Sequence, residues 1–151
     1  VGAQPGDHIE IGGPRGSRQV SGVTRLLLIG DETALPAIGR RVEELGEGHS
    51  VTVIAAVPGP DDQQTFTTDA ALATHWAHRP VSAAADPAPL LALLQAHPPG
   101  PETLVWIAAE ASVTRVLREW LLDRPDFQRS WLQAKGYWTA GQAEATQSFD
   151  D

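Results

Sequence analysis

A polar corner behind an apolar run contains the residue types in this sequence that could bind a phosphate. Residues 26–29 are large and aliphatic, and Gly30 and an Asp-Glu-Thr sequence follow them. Pro36 then stands in the expected first turn of a helix, where its missing N–H costs nothing. A strand that leads through a glycine turn into a helix presents free backbone N–H groups to an anion, together with the positive end of the helix dipole. A single glycine is a weak fingerprint, and the Asp31 and Glu32 carboxylates could cap the helix instead, so a plain strand-to-helix turn is the alternative.

The elements around this corner predict an α/β fold. An apolar run without alternation is typical of a strand that is buried on both faces of a parallel sheet. The sequence predicts strands at residues 26–29, 50–57, 71–76, 103–109 and 131–138, with helices at about 35–45, 86–96 and 111–123 between them. This alternation predicts an open, mostly parallel five-stranded sheet with helices on both faces. Ligands bind beyond the carboxyl ends of such strands, so the loops of interest are 30–36, 57–65, 75–80 and 108–112.

Composition argues against several classes of function. The chain has 151 residues, enough for one domain with a real core, and its net charge of -8 disfavours nucleic acid or an anionic membrane as a partner. No apolar run is long enough for membrane insertion. The absence of cysteine excludes disulfides and thiolate metal sites, and it fits a cytoplasmic protein. The histidines show no ligand-like grouping, so neither a metal site nor a catalytic acid–base set is predicted.

The two ends of the chain differ from its middle. Residues 6–11 show a short apolar alternation that suits one strand, and a glycine- and proline-rich loop follows at 12–17. A lone strand cannot satisfy its own edges, so this segment is either the last strand of a missing domain or a disordered lead-in, with residues 17–22 as a linker. The polar residues 142–151 predict a flexible tail. A start at Val1 without any methionine favours a piece of a longer protein.

Four segments together resemble one family of bacterial proteins. They are GDETALPAI at residues 30–38, HWAHR at 75–79, WIAAEAS at 106–112 and KGYW at 135–138. In order and spacing over residues 24–144, they are similar to the siderophore-interacting proteins, which are flavin-dependent ferric-siderophore reductases. The resemblance implies that residues 24–141 form an NAD(P)H-binding domain related to that of the ferredoxin reductases. It also implies that residues 1–23 are the last strand and linker of a missing FAD-binding barrel.

The resemblance further implies a reaction, its cofactors and its partners. In the family, a hydride from NADPH or NADH, or electrons from ferredoxin in some members, pass to FAD. The flavin then reduces ferric iron held by a siderophore, and the iron leaves in its ferrous form. The expected partners of this chain are therefore the FAD-binding domain of the same protein, a ferric siderophore and, if it is the electron donor, ferredoxin. Because the flavin performs the redox step, no catalytic residue is expected in this half.

By the same resemblance, a set of residues at the strand ends would bind the dinucleotide: Gly30, Asp31, Thr33, Ala34, Arg79, Ala109 and Glu110. Thr33 would donate a hydroxyl hydrogen bond. The Arg79 guanidinium would hold an adenosine 2′-phosphate, and the alternative is an ordinary surface arginine. Asp61 and Asp62 in the loop after the second strand would repel that phosphate, so NADH stays open as a donor.

Two departures from the family pattern bear on this site. The family has a glycine where Ala109 stands, and the methyl group could narrow the approach of a ligand. Glu110 could cap the following helix instead of binding a cofactor. Arginines often follow the Tyr-Trp pair in the family, whereas this chain has Thr139 and Ala140 there. That difference weakens the expected attraction for an anionic siderophore.

An aromatic and basic cluster is expected at the substrate and interdomain side of the domain: Lys135, Tyr137 and Trp138. The alternative for the two aromatic residues is packing in the core or between domains. Two other hypotheses stand beside the reductase. The chain could be a cofactor-less binding or interaction module of the same fold, which the changes at Ala109, Thr139 and Ala140 favour, or another α/β domain such as a flavodoxin-like one.

Overall fold

The described part of the chain forms an open sheet that is covered by helices on both faces. The computed structural model describes residues 9–10, 19–20, 23–140 and 147–148. In chain order, the strands are β1 (Ile9–Glu10), β2 (Gln19–Val20), β3 (Arg25–Asp31), β4 (Ser50–Val57), β5 (Ala71–His78), β6 (Thr103–Glu110), β7 (Leu132–Trp138) and β8 (Gln147–Ser148). The α-helices are α1 (Leu35–Glu43), α2 (Ala88–Ala96) and α3 (Ala111–Leu122).

The main sheet has the strand order β5-β4-β3-β6-β7-β8. Neighbours from β5 to β7 pair in parallel, and β8 adds two residues antiparallel to β7. The predicted five-stranded parallel sheet is therefore confirmed, with strand ends within a few residues of those expected. A strand that is covered on both faces has no side chain that faces solvent, so its sequence is an uninterrupted apolar run. In β6, for example, every residue is buried.

Helices cover the two faces unequally. α1 packs on one face, where Leu35, Ile38 and Val42 join inward side chains of β3 and β4. α2 and α3 pack on the other face, where Leu94 and Leu117 join alternate residues of β3 and β6. Burying one such side chain contributes roughly 1.5–3 kcal/mol, so the two cores hold the strand ends firmly in place. Within the described ranges, no helix has the length and apolarity that crossing a bilayer requires.

The winding of the sheet reverses at β3. This strand lies between β4 and β6, and the helices that follow β3 and β6 pack on opposite faces. Gly30 lies in register with Ala55 of β4 on one side and Ala108 of β6 on the other. The carboxyl ends of β3 and β6 therefore flank the position at which open α/β sheets bind ligands.

One irregularity interrupts the pairing of β6 with β7. Ala109 pairs with Gly136, but Glu110 pairs with Trp138, so Tyr137 is an extra residue in β7. Such a bulge redirects the side chains around it and often lies beside a functional site. Here it brings Trp138 level with Glu110 at the carboxyl edge of the sheet.

Short strands occur near both ends of the chain. β1 and β2 pair in antiparallel, with Ile9 opposite Val20. Residues 19–20, which the sequence assigns to a linker, are therefore part of a strand pair, and the loop predicted at 12–17 lies outside the described residues. β8 pairs with Lys135 and Gly136 of β7. Of the predicted tail, only residues 147–148 are described, so its flexibility stays a prediction.

Candidate functional site

Asp31 is the centre of a hydrogen-bond network at the carboxyl edge of the sheet. It is 1% exposed, and both of its carboxylate oxygens accept hydrogen bonds. Oδ1 accepts from the backbone N–H of Thr33 at 3.0 Å and from the Thr33 hydroxyl. Oδ2 accepts from the backbone N–H of Glu110 at 3.1 Å and from Trp138 Nε1 at 2.9 Å. One buried carboxylate thus joins the ends of β3, β6 and β7.

A second buried carboxylate, that of Glu110, caps the amino terminus of α3. It is 1% exposed, and its Oε1 accepts from the backbone N–H groups of Ser112 at 2.7 Å and Val113 at 3.2 Å. Its Oε2 accepts from the backbone N–H of Ala140 at 3.0 Å. An acidic residue at this position satisfies N–H groups that have no partner within the helix, and it complements the helix dipole. The chain's own anion therefore occupies the start of α3.

The carboxylates of Asp31 and Glu110 accept hydrogen bonds from backbone N–H groups that a bound phosphate would need. The sequence leaves open whether Asp31 and Glu110 bind a dinucleotide or cap the elements that follow them, and in the structure both are caps. Thr33 is exposed at the rim, with its hydroxyl donated to Asp31. A pyrophosphate bound by the N–H groups of Ser112 and Val113 would have to displace the Glu110 carboxylate.

Gly30, Ala34 and Ala109 lie inside the domain. Ala34 and Ala109 are 0% exposed. A Cβ added at Gly30 would lie 2.8 Å from the Ala108 carbonyl oxygen and 2.8 Å from the Ala34 Cβ. The close approach of β3, β6 and the helix start therefore requires glycine at this position.

We expect Gly30→Ala to lower the free energy of unfolding by about 2 kcal/mol, because the added methyl group overlaps a backbone carbonyl. Gly39→Ala is the matched control. An added Cβ at Gly39 in α1 would lie 3.5 Å from the Phe66 ring, an ordinary contact. Alanine also favours a helix by about 0.5–1 kcal/mol over glycine. Urea unfolding of both variants measures the difference, and an undiminished stability of Gly30→Ala would contradict the tight packing of the corner.

Arg79 lies buried directly after β5. The interpretation of Arg79 as a surface arginine is wrong, since the residue is only 6% exposed. Its guanidinium forms a two-pronged ion pair with Glu32, with Nη2–Oε1 at 2.6 Å and Nη1–Oε2 at 3.2 Å. Its backbone N–H donates to the Val57 carbonyl at 3.1 Å, which continues the pairing with β4. The Glu32 side chain, 27% exposed, thus takes the place on Arg79 that a phosphate could occupy.

The loop after β4 is held against the end of β5. Its Asp61 and Asp62 are exposed in a 3-10 turn, Pro60–Asp62. His78, next to Arg79 in the chain, is hydrogen-bonded to Gln63, with Nε2–Oε1 at 2.6 Å. The loops predicted to matter at residues 57–65 and 75–80 therefore meet at the same edge.

The bulge in β7 divides the aromatic and basic cluster that the sequence predicts. Trp138 belongs to the edge network through its indole N–H. Tyr137 instead packs edge-on against Trp106 of β6, with ring centroids 6.1 Å apart. The Arg41 guanidinium lies 4.3 Å from the centroid of the same Trp106 ring. Lys135 pairs with β8 in the body of the sheet. The structure therefore brings Trp138 to the edge and shows Tyr137 in the packing role that the sequence left open.

Two long-range contacts of this site have no signal in the sequence. Glu32, expected as a helix cap, pairs with Arg79 47 residues away. Ala140, expected only as a replacement for a family arginine, donates to Glu110 30 residues away. Both contacts depend on which strand ends become neighbours, and local residue patterns do not specify that.

Comparison with known proteins identifies relatives over most of the chain. A family model described as siderophore-interacting protein matches residues 23–141. An uncharacterised protein of Mycobacterium tuberculosis is 32% identical over 156 aligned residues, which cover 95% of this chain and 55% of that protein.

Solved structures show the same fold. A siderophore utilization protein from T. fusca superposes with a TM-score of 0.71 at 31% identity, over 81% of this chain and 47% of that chain. The siderophore-interacting protein SipS from Aeromonas hydrophila superposes with a TM-score of 0.70 at 23% identity, over 81% and 48% of the two chains. The chain thus spans about half the length of the relatives that it matches.

Proposed function

Because the chain belongs to the siderophore-interacting protein family, we propose that it is the carboxyl-terminal dinucleotide-binding domain of a flavin-dependent oxidoreductase that reduces ferric siderophores. A preceding domain would hold most of the FAD, and NADPH, NADH or reduced ferredoxin would be the electron donor in the cytoplasm. The similarity to a siderophore utilization protein from T. fusca supports a siderophore as the substrate. Release of ferrous iron would follow from reduction of the chelated metal.

The observation that carries this proposal is the buried Arg79 at the carboxyl edge. In the strand order, β4 separates the ends of β3 and β5, and the Arg79–Glu32 ion pair spans that gap. A guanidinium is always charged and offers a planar fork that matches phosphate oxygens, so a buried one at this edge suits a nucleotide phosphate. A dinucleotide bound through Arg79 would extend over the ends of β3 and β6, where parallel sheets take their ligands.

The residues at this edge fit a dinucleotide in part. Arg79 can exchange Glu32 for a phosphate, because the Glu32 side chain is partly exposed and can turn into solvent. The exposed Thr33 lies at the rim beside it. The N–H groups at the start of α3 do not fit a phosphate, because the buried Glu110 carboxylate holds them. The proposed roles of this chain are therefore to bind and orient the donor, while bound flavin would supply the redox chemistry.

A cofactor-less interaction module of the same fold is the second candidate. The buried carboxylates of Asp31 and Glu110 favour it, because they satisfy the donors of the edge without any ligand. Two negative charges there would also repel a pyrophosphate. In that case the domain would contact only its protein partners.

Reduction of the flavin distinguishes the two candidates. We expect the protein that carries this chain together with its FAD-binding domain to be yellow and to bleach anaerobically with NADPH, NADH or reduced ferredoxin. Its colour should return when a ferric siderophore is added, because the iron takes up the electrons. A flavoprotein that stays oxidised with every donor would support the interaction module. A longer protein without flavin would exclude the reductase.

A further inference from the structure

A cavity opens at the amino edge of the sheet, at the end opposite to Asp31 and Arg79. It has a volume of about 430 Å³. The first residues of three neighbouring strands, Arg25, Ser50 and Thr103, line it. The strands have seven or eight residues and rise about 3.3 Å per residue, so roughly 20 Å separate this cavity from the carboxyl edge. Whatever binds here is therefore distinct from a ligand of the edge already described.

The lining of the cavity contains hydrogen-bond donors and one cationic side chain. Ser50, Thr52 and Thr103 contribute hydroxyl-bearing side chains to the lining, and the exposed Arg25 contributes a guanidinium. The Thr103 hydroxyl donates to the Pro101 carbonyl at 3.4 Å. Nη1 of Arg25 donates to the Pro101 carbonyl at 3.2 Å, which holds the guanidinium beside the opening. Among the described residues that line the cavity, none is acidic, although the chain as a whole carries a net charge of -8. Arg25 is therefore the charged side chain among these lining residues, and the exposed Glu102 precedes Thr103 just outside them.

Two histidines complete the wall. The rings of His75 in β5 and His97 at the end of α2 stack with their centroids 3.7 Å apart and their planes 16° from parallel. Stacked imidazoles lie too close for both to carry a charge unless an anion compensates it. Within the described ranges, no three His, Asp or Glu side chains are grouped so that they could hold a metal ion.

We propose that this cavity binds a small organic anion that carries a doubly charged oxyanion group, which Arg25, His75 and His97 contact together with the hydroxyl groups of Ser50 and Thr52. Such a group matches the guanidinium fork and the hydroxyl donors. The volume exceeds that of an inorganic oxyanion, so the remainder of the ligand would lie against Leu27 and the prolines that follow His97. The inference does not depend on the proposed reductase function.

The site has a built-in dependence on pH. Burial, and after it the neighbouring His97, lower the pKa of His75, so this imidazole is neutral near pH 7. An anion in the cavity favours the protonated ring, and by linkage the protonated ring favours the anion. The other titratable groups in the lining are Arg25 and His97. Affinity for a dianion should therefore rise as the pH falls from about 7.5 to about 5.5.

Nuclear magnetic resonance of the histidine rings in the 151-residue chain tests the site. Sulfate is the first probe, because its charge stays constant over this pH range. We expect saturable shifts of the His75 and His97 ring signals, with tighter binding at the lower pH. Glycerol 3-phosphate at pH 7 carries its charge on one phosphate group, whereas succinate divides two charges between separate carboxylates. Tighter binding of glycerol 3-phosphate supports the proposal, and tighter binding of succinate contradicts it. If none of the three probes shifts these rings, the proposal is overturned.

A matched pair of arginine variants separates a specific site from a general charge effect. Arg25→Gln should weaken sulfate binding about tenfold, because it removes a charged hydrogen-bond donor. Arg40→Gln removes the same charge from an exposed position on α1 and should leave the affinity within about twofold of the parent. Equal losses in the two variants would mean that sulfate responds only to net charge, which also overturns the proposal.

Discussion

Asp31→Asn should lower the free energy of unfolding by about 3 kcal/mol, because it leaves buried donors at the carboxyl edge without acceptors. Each carboxylate oxygen of Asp31 faces N–H or O–H donors, from Thr33 on one side and from Glu110 and Trp138 on the other. An asparagine amide has one oxygen and one NH2 group. Whichever way the amide turns, its NH2 group therefore points at another donor. The variant also loses the negative charge that strengthens the remaining hydrogen bonds.

Urea unfolding followed by tryptophan fluorescence measures this effect. Asp86→Asn is the matched control, because Asp86 is exposed and accepts from the Ala88 N–H at 3.0 Å at the start of α2. Asparagine caps a helix about as well as aspartate, so this change should stay within about 0.5 kcal/mol of the parent. A similar small loss for Asp31→Asn would mean that the network contributes little to stability.

Glu32→Gln should raise the affinity of the chain for 2′,5′-ADP about tenfold, which corresponds to roughly 1.4 kcal/mol. In the parent, a phosphate must compete with the Glu32 carboxylate for the buried Arg79 guanidinium. The amide of glutamine has no charge to compensate that cation, so an incoming phosphate gains the full ion pair. Affinity for 5′-AMP, which has no 2′-phosphate, should change by less than about twofold.

Calorimetric titration with the two nucleotides measures this selectivity. Glu43→Gln removes an equal charge from an exposed position on α1 and should leave the selectivity unchanged. Adding Arg79→Ala to Glu32→Gln should abolish the gain. If Glu43→Gln improves binding of 2′,5′-ADP as much as Glu32→Gln does, the effect comes from net charge and Arg79 does not hold the 2′-phosphate. In the flavoprotein, the same Glu32→Gln change should favour NADPH over NADH.

The architecture can be predicted from local sequence patterns, because a strand that is buried on both faces has an uninterrupted apolar sequence. Residues 26–29 contain no polar residue, and a strand with apolar side chains on both sides can lie only inside a sheet. The helix after this strand shows its inward face through Leu35, Ile38 and Val42. The order of the strands in space has no such signal in the sequence, and the structure supplies it. Bulges are also invisible in the pattern, so the extra Tyr137 in β7 could not be foreseen.

The candidate site was predictable only where its contacts are local. Capping by Asp31 spans two residues and by Glu110 two or three, so residue type and position suggest both. The burial of Arg79 has no local signal in the sequence, because an arginine enters a core only beside a partner, and the fold makes Glu32 that partner. The ion pair between Arg79 and Glu32 is thus a property of the fold and not of any motif.

The hydrogen bonds on Asp31 also bear on the order in which the molecule forms. Those from Glu110 and Trp138 join residues that are 79 and 107 positions apart in the chain. Closing such long loops has a large entropic cost, and contacts of this kind form after local helices and turns have appeared. We therefore expect the carboxyl edge to assemble late in folding. During synthesis, the edge would stay unfinished until Trp138 has left the ribosome, so a nascent chain would lack the complete Asp31 network up to that point.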